Sequence, residues 1–287
     1  MPEGAGQLPL EVLRARPPEG APARAAPVVF VHGAFAGAWC WAESYLHRFA
    51  AAGYEATAFS FRGHGDSGGR ERIHSFSIDD YAKDLAAIVA DCATPPVVIA
   101  HSMGGFVAMR WLERALADRE RAPVAGLALM ASVPPGGLWG PSLSLMAFQP
   151  TLFFELAMVQ AGNQSWMSLD TVNRALFNPE TPREAAKAYH ARLSLESQQA
   201  VLEMQGGLRV DASRLRGRLP IQVLGAQHDT LIPPAFVRAA ARELGVRAEI
   251  VPGVGHGMML GAHADRAAER IFDWIDALAG RPEREGL

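Results

Sequence analysis

The run Val97-Val98-Ile99-Ala100-His101-Ser102-Met103-Gly104-Gly105 decides how this chain is read. Four apolar residues stand behind the break Pro95-Pro96 and read as a buried strand. Beyond Ser102 the spacing changes, and Ala108, Leu112, Ala115 and Leu116 fall on one face of a helix. A serine between such a strand and such a helix stands on a sharp turn that lifts its hydroxyl clear of the backbone. The turn needs small residues two places before and after the serine, and Ala100 and Gly104 hold those places. Glycine is more usual at the first of them, so the alanine methyl makes a tighter fit. Because Ser102 opens the helix, the Met103 N–H has no partner within it and is free to face negative charge. A serine hydroxyl is a poor nucleophile unaided; it needs a base and a place for the developing oxyanion. The competing reading is a serine that merely caps a helix after a strand, and the rest of the chain separates the two.

On both sides of this run, short apolar segments alternate with helix-period ones, the pattern of a mostly parallel sheet flanked by helices. Val28-Val29-Phe30-Val31 follows Pro27 as a strand, and a helix with Tyr45, Leu46, Phe49 and Ala50 on one face comes next. A strand over Glu55–Phe59 leads into the glycine-rich loop Arg62–Gly69. Ser77-Ile78-Asp79-Asp80 has the form of a capping box, opening a helix that turns Tyr81, Leu85, Ile88 and Val89 inward. Further strands are expected over Val124–Ala131, Ile221–Gly225 and Ala248–Val251, and the last helix should bury Ala267, Ile271, Trp274, Ile275 and Leu278. From residue 134 to 210 no β-like run occurs; the segment is helical and rich in Trp, Phe, Met and Leu. The expected architecture is an α/β core of residues 1–133 and 211–287 with a helical cap of residues 134–210. The insertion begins where a strand ends, and ligands of open α/β sheets bind beyond the carboxyl ends of strands, so it should lie over the site as a lid.

A strand–serine–helix site of this type takes its acid and then its histidine from later in the chain. Of nine histidines, His256 stands in Val251-Pro252-Gly253-Val254-Gly255-His256-Gly257, directly after the last strand, where a loop can project the imidazole over the sheet edge. His263 lies deeper in the next helix's start, His190 in the insertion, and His47 and His74 too early. His101 neighbours the serine, but adjacent side chains diverge at a sharp turn. Asp229, in Gly225-Ala226-Gln227-His228-Asp229, follows a strand and can hold one imidazole nitrogen, fixing the tautomer. The loop after Ala131 offers no carboxylate. His32-Gly33-Ala34-Phe35 follows the first strong strand and can lend a second oxyanion N–H, from Ala34 or alternatively Phe35. His32 reads as a loop-pinning residue rather than a proton carrier. The candidate catalytic residues are thus Ser102, His256 and Asp229, with Met103 and Ala34 at the oxyanion. Phe35, Trp139 and Phe153 are the candidate substrate contacts.

These stretches resemble the α/β-hydrolase superfamily, in particular its lipase- and esterase-like members with a helical cap. The resemblance rests on VHGAFAGAWCW at 31–41, FRGHGDSGG at 61–69, AHSMGG at 100–105, GAQHDTLIP at 225–233 and GVGHG at 253–257, five motifs in order over nearly the whole chain. It implies a Ser102–Asp229–His256 triad and an Ala34/Met103 oxyanion hole. VHGAFAGAWCW is also similar to the plant methylesterase and hydroxynitrile-lyase branch, whereas RGHGDSGG is closer to bacterial esterases and lysophospholipases. Relatives that dehalogenate or open epoxides carry Asp in the nucleophile position, so Ser102 argues against both. The implied activity is hydrolysis of carboxylic esters of small or hydrophobic substrates through an acyl-enzyme. A lyase or C–C bond hydrolase with the same triad, and a non-catalytic ligand receptor on the same fold, are the alternatives.

Bulk properties narrow the field further. A net charge of −3 and the absence of basic runs argue against nucleic-acid binding. Cys40 and Cys92, far apart, form neither a disulfide framework nor a zinc site and read as two buried, reduced thiols. No cofactor or metal is expected, and the expected partner is a small hydrophobic ester. The first residues lack a signal-peptide pattern and no apolar stretch is long enough to span a membrane, so a cytoplasmic location is expected. Asn163-Gln164-Ser165 fits a glycosylation pattern, read as chance without a secretion signal.

Overall fold

The computed structural model describes residues 8–279 apart from 22–23, 25, 118–120 and 162–165; the Asn163-Gln164-Ser165 triplet lies outside the described residues. Strands β1 (Val12–Ala15), β2 (Val28–Val31), β3 (Ala56–Phe59), β4 (Val97–His101), β5 (Gly126–Met130), β6 (Ile221–Ala226) and β7 (Ala248–Val251) form one sheet in the order β1-β3-β2-β4-β5-β6-β7. Every pairing from β3 to β7 is parallel, and only β1 runs antiparallel, against β3. β2, β4 and β5 are buried along their whole length, as expected of strands covered on both faces. Side chains alternate between the faces, so Val28 and Phe30 enter one core while Val29 and Val31 enter the other.

Helices α1 (Trp39–Ala42), α2 (Tyr45–Ala51) and α11 (Ala264–Ala279) cover the first face with Trp41, Tyr45, Phe49, Ala267 and Ile271. Helices α3 (Ile78–Ala90), α4 (Met103–Ala115) and α10 (Pro234–Glu243) cover the second with Tyr81, Leu85, Phe106, Leu112 and Val237. The capping box at the start of α3 is formed: Ser77 Oγ accepts from Asp80 N at 3.1 Å, and the Asp80 carboxylate accepts from Ser77 N at 3.1 Å. In α11 the seam is tighter than its periodicity suggests. Ile271 and Ile275 are buried, while Trp274 and Leu278 are half-exposed at its edge, packed against Gly126, where a Cβ would come within 2.8 Å of the Trp274 ring.

Between β5 and β6 the chain leaves the sheet for helices α5 (Trp139–Phe148), α6 (Pro150–Gln160), α7 (Leu169–Leu176), α8 (Arg183–His190) and α9 (Gln198–Leu202), ending in a wide helical turn at Glu203–Gly207. α5 and α6 carry apolar residues on every side. Leu145, Leu152 and Val159 are buried, whereas Trp139, Phe148 and Phe154 are exposed. One strand lies outside what the sequence pattern indicates, and the expectation of two buried thiols is corrected. β1 was not foreseen, because a four-residue edge strand with three half-buried residues and an exposed Arg14 carries little pattern. Cys92 is only half-buried, although Cys40 is buried and its thiol pKa is pushed up by desolvation. Among the described residues no helix is long and apolar enough to cross a membrane.

Candidate active site

The parallel registers align the carboxyl ends of β2, β4, β5 and β6, pairing Val31 with Ala100 and His101 with Met130. Ser102 follows immediately, at φ 52° and ψ −119°, a backbone setting that residues with a Cβ seldom take unless their surroundings hold it. Here the backbone is held on both sides: Ser102 N donates to Met130 O at 3.0 Å and Ser102 O accepts from Val133 N at 3.1 Å. The crossing of β2 and α4 explains Gly104, where a Cβ would stand 2.4 Å from the His32 carbonyl. Met103 is the first helical residue, so its N–H points out of the helix end.

His256 reaches this turn from the loop after β7. Its Nε2 lies 3.0 Å from Ser102 Oγ and its Nδ1 2.8 Å from Asp229 Oδ2. Asp229 Oδ1 is occupied separately, accepting the N–H groups of Leu231 at 2.9 Å and Ile232 at 2.8 Å. That division leaves Oδ2 for the imidazole. The proton therefore sits on Nδ1 in the resting state and Nε2 faces the serine as acceptor. Asp229 and His256 are both buried. The glycines around His256 serve close approach. A Cβ on Gly255 would fall 2.6 Å from the Phe177 backbone, and Gly257 N donates to Leu176 O at 2.8 Å, so the end of α7 is pressed against the loop.

Two further histidines shape the site without facing the hydroxyl. His32 Nδ1 donates to Gly33 O at 2.8 Å and its Nε2 accepts from Phe61 N at 3.0 Å. Both nitrogens are spent on backbone, so His32 pins the loop; burial, helped by the neighbouring His64, lowers its pKa to about 3. His101, set aside as a base, donates Nε2–H to the His256 carbonyl at 2.8 Å, with its ring centroid 4.9 Å from that of His256, and burial lowers its pKa to about 3. Its contribution was invisible in the sequence because it depends on a loop 155 positions away.

Both candidate oxyanion residues line the cavity, and the N–H of Phe35 is already engaged. Phe35 N donates to Glu196 Oε2 at 3.2 Å and Phe35 O accepts from Ser194 N at 2.9 Å. Ala34, one residue earlier, lines the cavity beside Ser102. Glu196 was not singled out by sequence reasoning; it stands in a polar stretch, Ser194-Leu195-Glu196-Ser197-Gln198, with no motif of its own.

A cavity opens over Ser102, walled by Met103, Val133 and Ile232 from the sheet side and by Leu145, Phe153, Leu156, Met167, Val172, Leu193 and Met204 from the insertion. Phe35 and Phe153 line it. Trp139 does not. It is 64% exposed and lines a neighbouring outer groove with Leu143, Met146 and Leu202, a groove that Phe153 also borders. The expectation for Trp139 is corrected on that ground: α5 is apolar all round, so its sequence could not say which side faces the cavity. Among the described residues no cluster of three or more His, Cys, Asp or Glu side chains could hold a metal ion.

The model of the alpha/beta hydrolase family matches residues 28–270. A monoacylglycerol lipase of Mycolicibacterium smegmatis is 26% identical over 240 residues, covering 79% of this chain and 80% of the lipase. A pimeloyl-[acyl-carrier protein] methyl ester esterase of Xanthomonas campestris is 30% identical over 222 residues, covering 71% and 82%. Among solved structures, an esterase from Exiguobacterium antarcticum superposes with a TM-score of 0.72 at 17% identity, covering 95% of this chain and 96% of that one, a likeness of fold.

Proposed function

This chain belongs to the alpha/beta hydrolase family, and we propose that within it the protein is a serine hydrolase of carboxylic esters with a small or hydrophobic acyl or alkyl group. The observation that carries the proposal is the continuous hydrogen-bonded line from Asp229 Oδ2 through His256 to Ser102 Oγ, at 2.8 and 3.0 Å. Its catalytic residues are Ser102 as nucleophile, His256 as base and Asp229 as the group that orients and stabilises the imidazolium.

Ser102 Oγ attacks the ester carbonyl while His256 Nε2 takes its proton. The carbonyl oxygen becomes an oxyanion between the Met103 and Ala34 N–H groups. Assignment to Ala34 rather than Phe35 is supported by the engagement of the Phe35 N–H with Glu196. When the tetrahedral adduct collapses, His256 gives its proton to the leaving alcohol and the acyl group stays on Ser102. Water then gives a proton to His256, attacks the acyl carbon, and releases the acid as Ser102 regains its proton. Residues 134–210 act as the cap, because their apolar side chains supply much of the cavity wall. The esterase and lipase names among the relatives support the same reaction class.

The test is labelling with a fluorophosphonate beside a panel of p-nitrophenyl esters of increasing acyl length. Covalent labelling abolished in Ser102→Ala, together with ester turnover, is the expected result. Labelling without turnover of any ester would move the reading to a lyase or C–C hydrolase. No labelling would favour a ligand receptor.

A further inference from the structure

We propose that Glu196, a buried carboxylate carried by the insertion, is a positioning residue that holds the oxyanion loop in its working shape, so that the insertion completes the oxyanion hole as well as covering the cavity. The inference rests on the ester-hydrolase reading above. It begins with two successive peptide groups. The Ala34 N–H shares a rigid, planar peptide with the Gly33 carbonyl, and His32 Nδ1 holds that carbonyl at 2.8 Å. The next peptide ends in the Phe35 N–H, which Glu196 Oε2 holds at 3.2 Å. With both planes held, the two torsions of Ala34 between them are fixed, and so is the direction of its N–H. If the second anchor is lost, one plane is free to swing.

Phe35 makes the need for that anchor explicit. It sits at φ 63°, a left-handed setting that a residue with a Cβ keeps only where its surroundings hold it. Its N–H is held by Glu196, and its carbonyl accepts from Ser194 N at 2.9 Å. Both anchors come from one short stretch of the insertion, between α8 and α9.

Glu196 is itself fully braced. Oε2 also faces His64 Nε2 at 3.0 Å, while Oε1 accepts from Tyr81 Oη at 2.9 Å and from Ser197 N at 2.7 Å. His64 is oriented in turn by Arg62 O, 3.2 Å from its Nδ1, and Arg62 is clamped by Asp84 of α3. The insertion carboxylate is therefore tied to α3, to the glycine-rich loop and to the oxyanion loop at one point. Apart from the Ser197 N–H, each of these partners belongs to the sheet-bearing part of the chain. A carboxylate suits this place because all four partners present hydrogens to it. An amide does not: whichever way Gln is turned, its NH2 opposes the N–H of Phe35 or of Ser197.

Glu196→Gln, Glu196→Asp and Tyr81→Phe are compared with the wild-type chain, each normalised to sites titrated by a fluorophosphonate. On a p-nitrophenyl ester, Glu196→Gln should lose about 10- to 100-fold in kcat and kcat/KM together, with KM within about twofold, because oxyanion contacts form in the transition state. Affinity for a trifluoromethyl ketone, which forms a tetrahedral oxyanion on the serine, should fall in parallel. Affinity for the corresponding secondary alcohol, which cannot form one, should hold. Tyr81→Phe removes a bond to the other carboxylate oxygen and should keep turnover per site within about twofold, however much it lowers stability. Should Glu196→Gln fail to fold, Glu196→Asp keeps the charge opposite His64 but withdraws from Phe35, and the same parallel loss is expected of it. Turnover per titrated site within twofold of wild type in both Glu196 variants would overturn the inference alone. A wild-type chain that neither labels nor turns over any ester would overturn the ester-hydrolase reading and this inference with it.

Discussion

Two buried histidine–carboxylate pairs stand among the described residues, and they differ in what the second ring nitrogen faces. In the first, His256 Nδ1 meets Asp229 at 2.8 Å and Nε2 meets Ser102 Oγ at 3.0 Å, beside a cavity. In the second, His64 Nε2 meets Glu196 at 3.0 Å and Nδ1 meets the backbone carbonyl of Arg62. Both carboxylates are buried and both distances are ordinary. Yet the His64 ring can only donate on its far side, since a carbonyl accepts and cannot give up a proton. The first pair ends in a hydroxyl that can be deprotonated and in space for a substrate. The second is closed at both ends and cannot pass a proton to a substrate; it can only hold other groups in place. On the proposed reading, pairing alone does not make a catalytic dyad, and the partner of the distal nitrogen is what separates the two.

The sharpest way to break this contrast is to delete the groups at the open end. Ser102→Ala should lower kcat on the order of 10⁴- to 10⁶-fold, and His256→Ala by a similar factor, because members of such a triad act as a unit. Asp229→Asn comes next. The two N–H groups of Leu231 and Ile232 will keep the amide oxygen at the Oδ1 position and turn the NH2 toward His256 Nδ1. The imidazole must then carry its proton on Nε2, facing Ser102 as a donor. A kcat loss on the order of 10³- to 10⁴-fold is expected, with near-native stability in urea. A loss under tenfold would mean that the tautomer set by Asp229 does not matter here.

At the closed end the same kind of deletion should register in stability. His64→Asn strands the Glu196 carboxylate without its cation, a loss of about 3–5 kcal/mol measured by urea unfolding. Each folded molecule should keep turnover within about tenfold of wild type. The pair favours its charged form on both sides: the Glu196 carboxylate, though raised by burial, is drawn below its ordinary range by His64, and the His64 imidazolium, opposed by burial, is drawn above its own by Glu196. The contribution of Glu196 is thus present above the ordinary carboxylate pKa and lost as pH falls through its lowered value. That of His64 is full below pH 6.5 and lost as pH rises through its raised value.

What the sequence could show follows from the same contrast. Ser102, Asp229 and His256 each stand directly after a strand in a loop with its own glycine or proline punctuation, so each was legible locally, in chain order. The second pair was not. His64 lies in a recognisable glycine-rich loop, but its partner is 132 positions away in a stretch without a motif, and only the folded insertion brings them together. The bond of His101 was illegible for a related reason: its Nε2 meets a backbone carbonyl that no side-chain pattern marks. The sheet was legible in its alternation of apolar runs with helix-period segments, as far as β7, but not at β1, a short antiparallel edge strand that stands outside that alternation. In α5 and α6 the apolar residues surround the helix, and periodicity cannot assign faces that composition does not distinguish.

Two histidines that lack a carboxylate supply a third term for the comparison. His32 and His101 are buried and neutral, with pKa values lowered to about 3 by desolvation, whereas in the unfolded chain each titrates near 6.5. Between these values the unfolded chain binds more protons, so stability rises with pH in that window and is lost as pH falls. Each histidine contributes a slope of about 1.4 kcal/mol per pH unit there. Urea unfolding between pH 4 and 6 should show that slope reduced by about one proton in His101→Asn. An unchanged slope would mean that His101 is protonated in the native state, which its bond to the His256 carbonyl alone would permit.

The smallest effect bears on what the open end opens onto. Phe153 borders both the cavity over Ser102 and the outer groove, while Trp139 borders the groove alone and is largely in solvent. Ser142, Ala157, Gln160, Val201 and Gln205 border both spaces as well, so truncating Phe153 thins the wall between them at its one aromatic residue. Phe153→Ala should therefore move the preferred acyl length upward and lower kcat/KM for the shortest esters by up to about 10-fold, the range expected when a hydrophobic pocket loses a fitted surface. Trp139→Ala should leave kcat/KM for short esters within about twofold, since an exposed ring away from the cavity contributes neither wall nor orientation. If Trp139→Ala instead changes the length profile as strongly as Phe153→Ala, the groove is part of the acyl site, and the open end of the first pair extends beyond the cavity along the outer face of α5.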